Sequence, residues 1–334
     1  MKKKLGMLIL SVSLLSSALT GCTIGDTEFV LDVTPIGRSD IFSVNGVQCS
    51  KEEAKLYLCN YQNLYGKEYG VDLWDYDYSK MDKNKTLAAY VKDVTLAELA
   101  NVMCMSQLAK EQGVTLTKKE QERLEKVVNE YYDSLSEAEI SYMGIDKDEL
   151  KKYYEKYALA HKLYTYLNEG INEEVSDDEA RVMQTQQIYV KDPEKAQTVK
   201  EKLDAGEDFA TVASKHNEAE SVERYLTRGE FSAEADAILF RLDNKEMSGM
   251  IKGEDGYYFI KCVNKYVADL TELHKEEIVV QRRKEKFDNA LGDFIKNAEF
   301  AINEKRWDEI KVDTSGEIKT DSFFAIYDKY FVEN

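Results

Sequence analysis

Cys22 is the residue most clearly placed for chemistry. It closes the tetrad Leu19-Thr20-Gly21-Cys22, and ahead of it Lys2, Lys3 and Lys4 precede an apolar run from Leu5 to Leu19. Small residues before a cysteine let a peptidase reach the bond it cuts, and the thiol can then carry a diacylglyceryl group through a thioether. The run is shorter than the ~20 apolar residues that span a bilayer, and Gly6 and several serines interrupt it, so residues 1–21 read as a processed export signal. An ordinary export signal that happens to end near a cysteine is the competing reading. Two acyl chains anchor a protein stably where one is marginal, which places the expected mature chain on the outer face of a cytoplasmic membrane through the lipid on Cys22.

The other residue types that do chemistry form no familiar constellation. His161, His216 and His274 are far apart in sequence, and no Ser-His-Asp, zinc or phosphate-loop pattern accompanies them. Each reads as structural or solvated. Cys49, Cys59, Cys104 and Cys262 match no metal spacing, and Cys49 and Cys59 are expected on one helix, too far apart to bond to each other. They read as small buried hydrophobes, with a Cys59 to Cys104 disulfide left open. No metal and no cofactor is expected. A formal charge of -18 argues against nucleic acid and against electrostatic attraction to anionic lipid, so the lipid itself must anchor the chain.

The elements around these residues are mostly helical, for Lys, Glu, Leu and Ala abound and only two prolines occur. Residues 22–41 lack periodicity and read as a flexible spacer. Alternation around Asn45-Gly46 predicts a short hairpin, and Ser50 with Glu53 predicts a capped helix start. Thr117 with Glu120, Asp146 with Glu149 and Ser176 with Glu179 predict three further helix starts. The tyrosine-rich stretch Trp74-Asp75-Tyr76-Asp77-Tyr78 reads as a partly packed loop, with a client-contacting surface as the alternative. From Gln186 the texture changes to a strand, a helix over Glu194 to Leu203, further helices from Asp208 and Ala233, and a closing strand over Tyr257 to Val263. One long helix is expected from Thr271 to Arg306, with Phe287, Leu291, Phe294, Ala298 and Ile302 along one face. The class is therefore α+β: a mainly helical domain over 42–180, completed by 267–312, with an α+β domain inserted at 181–266 and an apolar tail at 313–334 whose partner the sequence does not reveal.

Between residues 42 and 310 the chain resembles the PrsA/SurA-like extracytoplasmic foldases. The carriers are Val44-Asn45-Gly46, the stretch from Leu108 to Thr117, Val175-Ser176-Asp177-Asp178-Glu179, Ile188-Tyr189-Val190-Lys191-Asp192, Leu203 to Phe209, Arg228-Gly229-Glu230-Phe231 and Gly256 to Lys261, in that order. Leu19 to Cys22 likewise resembles a lipobox. The resemblance implies a helical chaperone domain and a parvulin-type peptidyl-prolyl isomerase domain. Such a site is described as two histidines on adjoining strands, a nearby Asp or Cys, and an apolar proline cup. Here Gln187 and Tyr258 stand at the histidine positions, Val222 or Glu223 at the acid or thiol position, and Phe231, Ala235 and Phe240 around the cup, Ala235 replacing an expected Phe. Gln187 and Tyr258 could hydrogen-bond across the site, since each has a donor and an acceptor.

The resemblance thus implies a membrane-anchored chaperone for unfolded or partly folded exported proteins, whose isomerase-like domain has a degenerate site. An isomerase with a non-standard site and a structural surface lipoprotein are the alternatives, because fold alone does not fix function.

Overall fold

The computed structural model describes residues 40–69, 74 and 86–332, and the backbone course of 21–24 and 27–30. Residues 1–20 of the export signal, and the tyrosine-rich stretch beyond Trp74, lie outside the described residues. Within the expected spacer, β1 (Gly21–Ile24) and β2 (Thr27–Val30) pair antiparallel, with Cys22 opposite Phe29.

Two units follow from the contacts: Met1–Glu169 with Lys286–Asn334, and Gly170–Glu285. In the first, β3 (Asp40–Val44) and β4 (Val47–Ser50) form the expected hairpin. Asn45 and Gly46 both have positive φ, 49° and 75°, which suits the right-handed twist of the strands they join. Then come α1 (Lys51–Tyr69), α2 (Leu87–Glu111), α3 (Lys118–Ser134), α4 (Glu137–Met143) and α5 (Lys147–Asn168). Thr117 with Glu120 and Asp146 with Glu149 make full capping boxes, as expected. At α1 only half of the box forms: Glu53 N donates to Ser50 Oγ, while the Glu53 carboxylate turns to Lys156 Nζ at 2.6 Å.

Two expectations need correction here, and the open question of a disulfide is answered. Ser176 and Glu179 close a single turn rather than start a helix: Glu179 N donates to Ser176 Oγ, but the chain runs on at once into a strand paired on both sides in the sheet. Cys49 lies on β4 and Cys59 on α1, and all four described cysteines are buried and free, so no Cys59 to Cys104 bond forms. Burial pushes the Cys59 and Cys104 thiols up to about 12, which keeps both protonated and inert.

The second unit is built on β5 (Met183–Val190), α6 (Pro193–Asp204), α7 (Phe209–His216), β6 (Glu223–Leu226), α8 (Ala233–Leu239), β7 (Ile251–Lys252) and β8 (Tyr257–Asn264). The strands make one antiparallel sheet in the order β6-β5-β8-β7. Ile188, Val190 and Phe259 on one face pack under α6 and α7. Met183, Ile260 and Cys262 on the other pack with Leu226, Ala235, Leu239 and Phe240.

The long helix α9 (Ala268–Asn297) is shorter than expected. Phe300 and Ile302 alternate inward on β9 (Phe300–Ile302), which pairs with β3 and makes a three-stranded sheet, so Ile302 belongs to a strand and not to a helical stripe. The first part of α9 packs within the second unit: Thr271 Oγ1 accepts from Val182 N, and His274 Nδ1 meets the Ala180 carbonyl. Phe287, Leu291 and Phe294 are buried in the helical unit, as expected.

After α10 (Glu304–Glu309), the tail forms α11 (Phe323–Phe331), which is part of the core. Phe323 is fully buried and stacks on Tyr154 with ring centroids 4.1 Å apart. Its N–H donates to Asn60 Oδ1 and its carbonyl accepts from Tyr154 Oη. The α+β class read from the sequence holds.

Candidate functional site

Residues directly opposite in an antiparallel pair share a face, and alternate residues along a strand share it too. Gln187 is opposite Ile260, and Tyr189 is opposite Tyr258. Gln187, Tyr189 and Tyr258 therefore lie on the face that packs with α8, where Phe231 also lies.

The bond that Gln187 and Tyr258 could make across the site does not form, because each has nearer partners. Gln187 is 8% exposed. Its Nε2 donates to the Ser221 carbonyl, and its Oε1 accepts from Arg224 Nη1, both at 3.0 Å. Tyr258 Oη donates to Asp255 Oδ1 at 2.9 Å, and Tyr189 Oη donates to Asp255 Oδ2 at 3.1 Å. Burial, with the Asp255 carboxylate beside it, pushes the Tyr258 phenol up to about 12. The hydrogen bond from Tyr258 in turn holds the Asp255 carboxyl below its ordinary range.

Two glycines make this arrangement possible in the turn between β7 and β8. A Cβ on Gly253 would stand 2.7 Å from the Tyr258 ring, and one on Gly256 would stand 2.7 Å from both the Tyr189 ring and the Val190 carbonyl. The turn thus both connects the strands and, through Asp255, anchors two phenols.

The acid or thiol position also falls differently from expectation. Glu223 begins a strand rather than lying in a loop, and it pairs with Gln186, on the opposite face from Gln187. Arg224, opposite Thr185, comes to the Gln187 face instead. Its guanidinium also lies over the Phe231 ring at 5.5 Å and pairs with Glu230. A strand register over 223–226 was the missing signal, for the alternation that turns Arg224 inward follows once that pairing is known.

The cup is narrower than its residues suggest. Phe231 meets Tyr258 edge to face, with centroids 5.0 Å apart, and Tyr189 lies 4.8 Å from Tyr258. Ala235 is buried in the core beneath. Phe240 is 5% exposed and lies under two guanidinium groups, Arg228 at 4.4 Å and Arg181 at 5.2 Å. Asp178 holds both arginines. The Phe240 ring is thereby closed off, and what remains is a shelf of Phe231, Tyr258 and Tyr189 beside Arg224.

None of the histidines enters this site. His161 is half-buried between Tyr157 and Tyr327 and loss of solvent lowers it to about 4, while His216 ends α7 and His274 Nδ1 meets the Ala180 carbonyl. Among the described residues no group of three or more His, Cys, Asp or Glu could hold a metal ion, and no helix is long and apolar enough to cross a membrane.

No family model matches the chain. Curated relatives do. Foldase protein PrsA of Clostridium botulinum is 24% identical over 322 residues, covering 85% of this chain and 91% of the relative. Foldase protein PrsA of Clostridium acetobutylicum is 24% identical over 262 residues, covering 68% and 78%. A crystal structure of peptidylprolyl isomerase PrsA from Bacillus cereus aligns at 18% identity with a TM-score of 0.41, covering 86% of this chain and 98% of that one. Over most of its length the chain is thus similar to curated PrsA foldases, in keeping with the resemblance carried by its sequence.

Proposed function

We propose that this protein is an extracytoplasmic chaperone for unfolded exported proteins, tethered through a diacylglyceryl group on Cys22, whose parvulin-like unit binds client segments without isomerising them efficiently. The relatives named foldase support the chaperone part of this reading. The tetrad Leu19 to Cys22 supports the anchor, and one observation carries the isomerase part: the polar atoms at both histidine positions are committed within the protein, Gln187 to Ser221 and Arg224, and Tyr258 to Asp255.

Prolyl isomerisation has a barrier of ~18–20 kcal/mol set by the double-bond character of the amide, so a catalyst must favour the twisted amide over the planar one. That requires polar groups free to meet the amide and an apolar seat for the ring. Here the Tyr258 proton points to a carboxylate, the Gln187 amide is nearly buried, and Phe240 lies under arginines. The shelf of Phe231, Tyr258 and Tyr189 still offers aromatic surface to an extended client.

The test pairs two measurements on the purified chain. Aggregation of an unfolded client should be delayed, while isomerisation of a proline peptide should show little acceleration. Turnover like that of an ordinary parvulin, abolished by Tyr258→Ala, would establish a non-standard isomerase instead. Absence of both activities would favour a structural lipoprotein. For the anchor, Cys22→Ala should move the protein out of the membrane fraction, and retention there after removal of the signal would end the lipoprotein reading.

A further inference from the structure

A second concave site lies wholly within the helical unit. A cleft of about 420 Å³ opens between the C-terminal ends of α2 and α9, lined by Leu108, Glu111, Gln112, Asp293, Phe294 and Asn297 among others. Asn45 of the β3–β4 turn forms its rim and is fixed there: its N–H donates to the Glu299 carbonyl and its Oδ1 accepts from Glu299 N, both at 2.8 Å. The volume is within the range of sites that take small ligands or single side chains.

The chemistry of the lining has one sign. Glu111 and Asp293 contribute two carboxylates, and both helices point their C-terminal ends, where the backbone dipole is negative, toward the same space. Leu108 and Phe294, both core residues, supply an apolar wall, where the Phe294 ring reaches the cleft with 9% of its surface exposed. Asn45, Gln112 and Asn297 add amide groups. Of the basic residues next to these carboxylates in sequence, Lys296 reaches Asp293 only at 3.7 Å, with both side chains exposed, and such a pair contributes little. Lys110, beside Glu111, is in no ion pair among the described residues.

We propose that this cleft is a subsite for an arginine side chain of an extended client segment. A guanidinium is planar, carries five donors in a fork that fits carboxylates, and stacks on aromatic rings. That combination answers two carboxylates, a phenyl ring and a negative field at once. A glutamate or aspartate side chain would be repelled by the same groups. The inference deepens the chaperone reading and rests on it, since it names which unfolded segments the helical unit prefers.

The test uses the full-length chain and a labelled disordered peptide with one arginine between apolar residues, beside the same peptide carrying citrulline. Citrulline keeps the shape and removes the charge. The arginine peptide should bind about tenfold more tightly, the size expected for hydrogen bonds to charged groups, and the preference should shrink as salt is raised. In Glu111→Gln with Asp293→Asn the preference should vanish, while Glu122→Gln on α3 should leave it intact. Both sets of changes are isosteric and on exposed residues, and an unchanged melting temperature checks that they fold. Equal binding of the two peptides by the unmodified chain, or an unaltered preference in the double variant, overturns the subsite. Client aggregation measured in the same preparations separates the two ideas. Suppression of aggregation without arginine preference sinks the subsite alone. Arginine preference without suppression supports the subsite and sinks the chaperone reading.

Discussion

Tyr258 Oη lies 2.9 Å from Asp255 Oδ1, and this bond decides what a phenol at that position can do. Its proton is committed, so toward the shelf Tyr258 presents lone pairs and a ring. Tyr258→Phe should therefore release Asp255: its carboxyl, now held down first by this hydrogen bond, should titrate nearer the ordinary value of ~3.9. A carboxylate with a depressed folded pKa stabilises the fold above the ordinary range and loses that contribution as pH falls through the folded pKa. Carboxyl resonances followed by NMR in both proteins would check it, and an unmoved Asp255 would show that Tyr189 alone suffices.

Restoring the two imidazoles is not expected to restore an enzyme. In Gln187→His with Tyr258→His, Arg224 still lies on the site face and Phe240 still lies under Arg228 and Arg181. Peptide isomerisation should stay close to the uncatalysed rate. Full turnover from these two changes would show that the capped ring does not matter.

Gly256→Ala should weaken the second unit by about 1–3 kcal/mol, the usual cost of forcing an atom into a filled space. The new methyl would meet the Val190 carbonyl at 2.7 Å, and a backbone atom cannot step aside as a flexible side chain can. Gly206→Ala probes a different cost, since nothing lies within 4 Å of its added Cβ but its φ is +84°. Melting of both variants, read from signals specific to each unit, should leave the helical unit unchanged.

The division of the chain into units leads to a deletion test. Excising 170–285 and joining Glu169 to Lys286 through a short linker should leave a folded helical unit, because Lys286 Nζ already reaches the Glu169 carbonyl at 3.4 Å. In that shortened chain and in the parent, Phe323→Ala should cost about 3–5 kcal/mol, as loss of a buried aromatic does. An unchanged denaturation midpoint would mean that α11 is not core.

Glu98 on α2 gives a pH-dependent signature. Burial pushes its carboxyl up to about 7, so the folded chain keeps a proton that the unfolded chain has lost above ~4.3. Stability from this group is complete below that pH and falls as pH rises through 7. Glu98→Gln should match the parent near pH 4 and exceed it in melting temperature at pH 8. Parallel curves at both pH values would contradict the assignment.

Much of this was legible in the sequence because it is local. Asn45-Gly46, Thr117 with Glu120, and Asp146 with Glu149 each contain their own partner within four residues, and each forms as read. The failures all depend on distant groups. Ser176 and Glu179 have the letters of a helix start, but the residues that follow are claimed by the sheet, Met183 pairing with Leu226. Helix periodicity carries the eye past Asn297, yet Phe300 and Ile302 are taken by β3. At the candidate site, the residue types at positions 187 and 258 were readable, whereas the register that brings Arg224 inward and the segment that caps Phe240 were not.

The position of Phe323 has a consequence in time. The helical unit draws its core from both ends of the sequence, while residues 170–285 are contiguous. As a chain emerges from its N-terminus onward, the inserted unit can close as soon as its own residues are out. Tyr154, and with it Tyr57 and Tyr131, must wait for an aromatic partner that follows Tyr154 by 169 residues, beyond the whole inserted unit. Closure of the helical unit's aromatic cluster is thereby ordered after synthesis of the inserted unit.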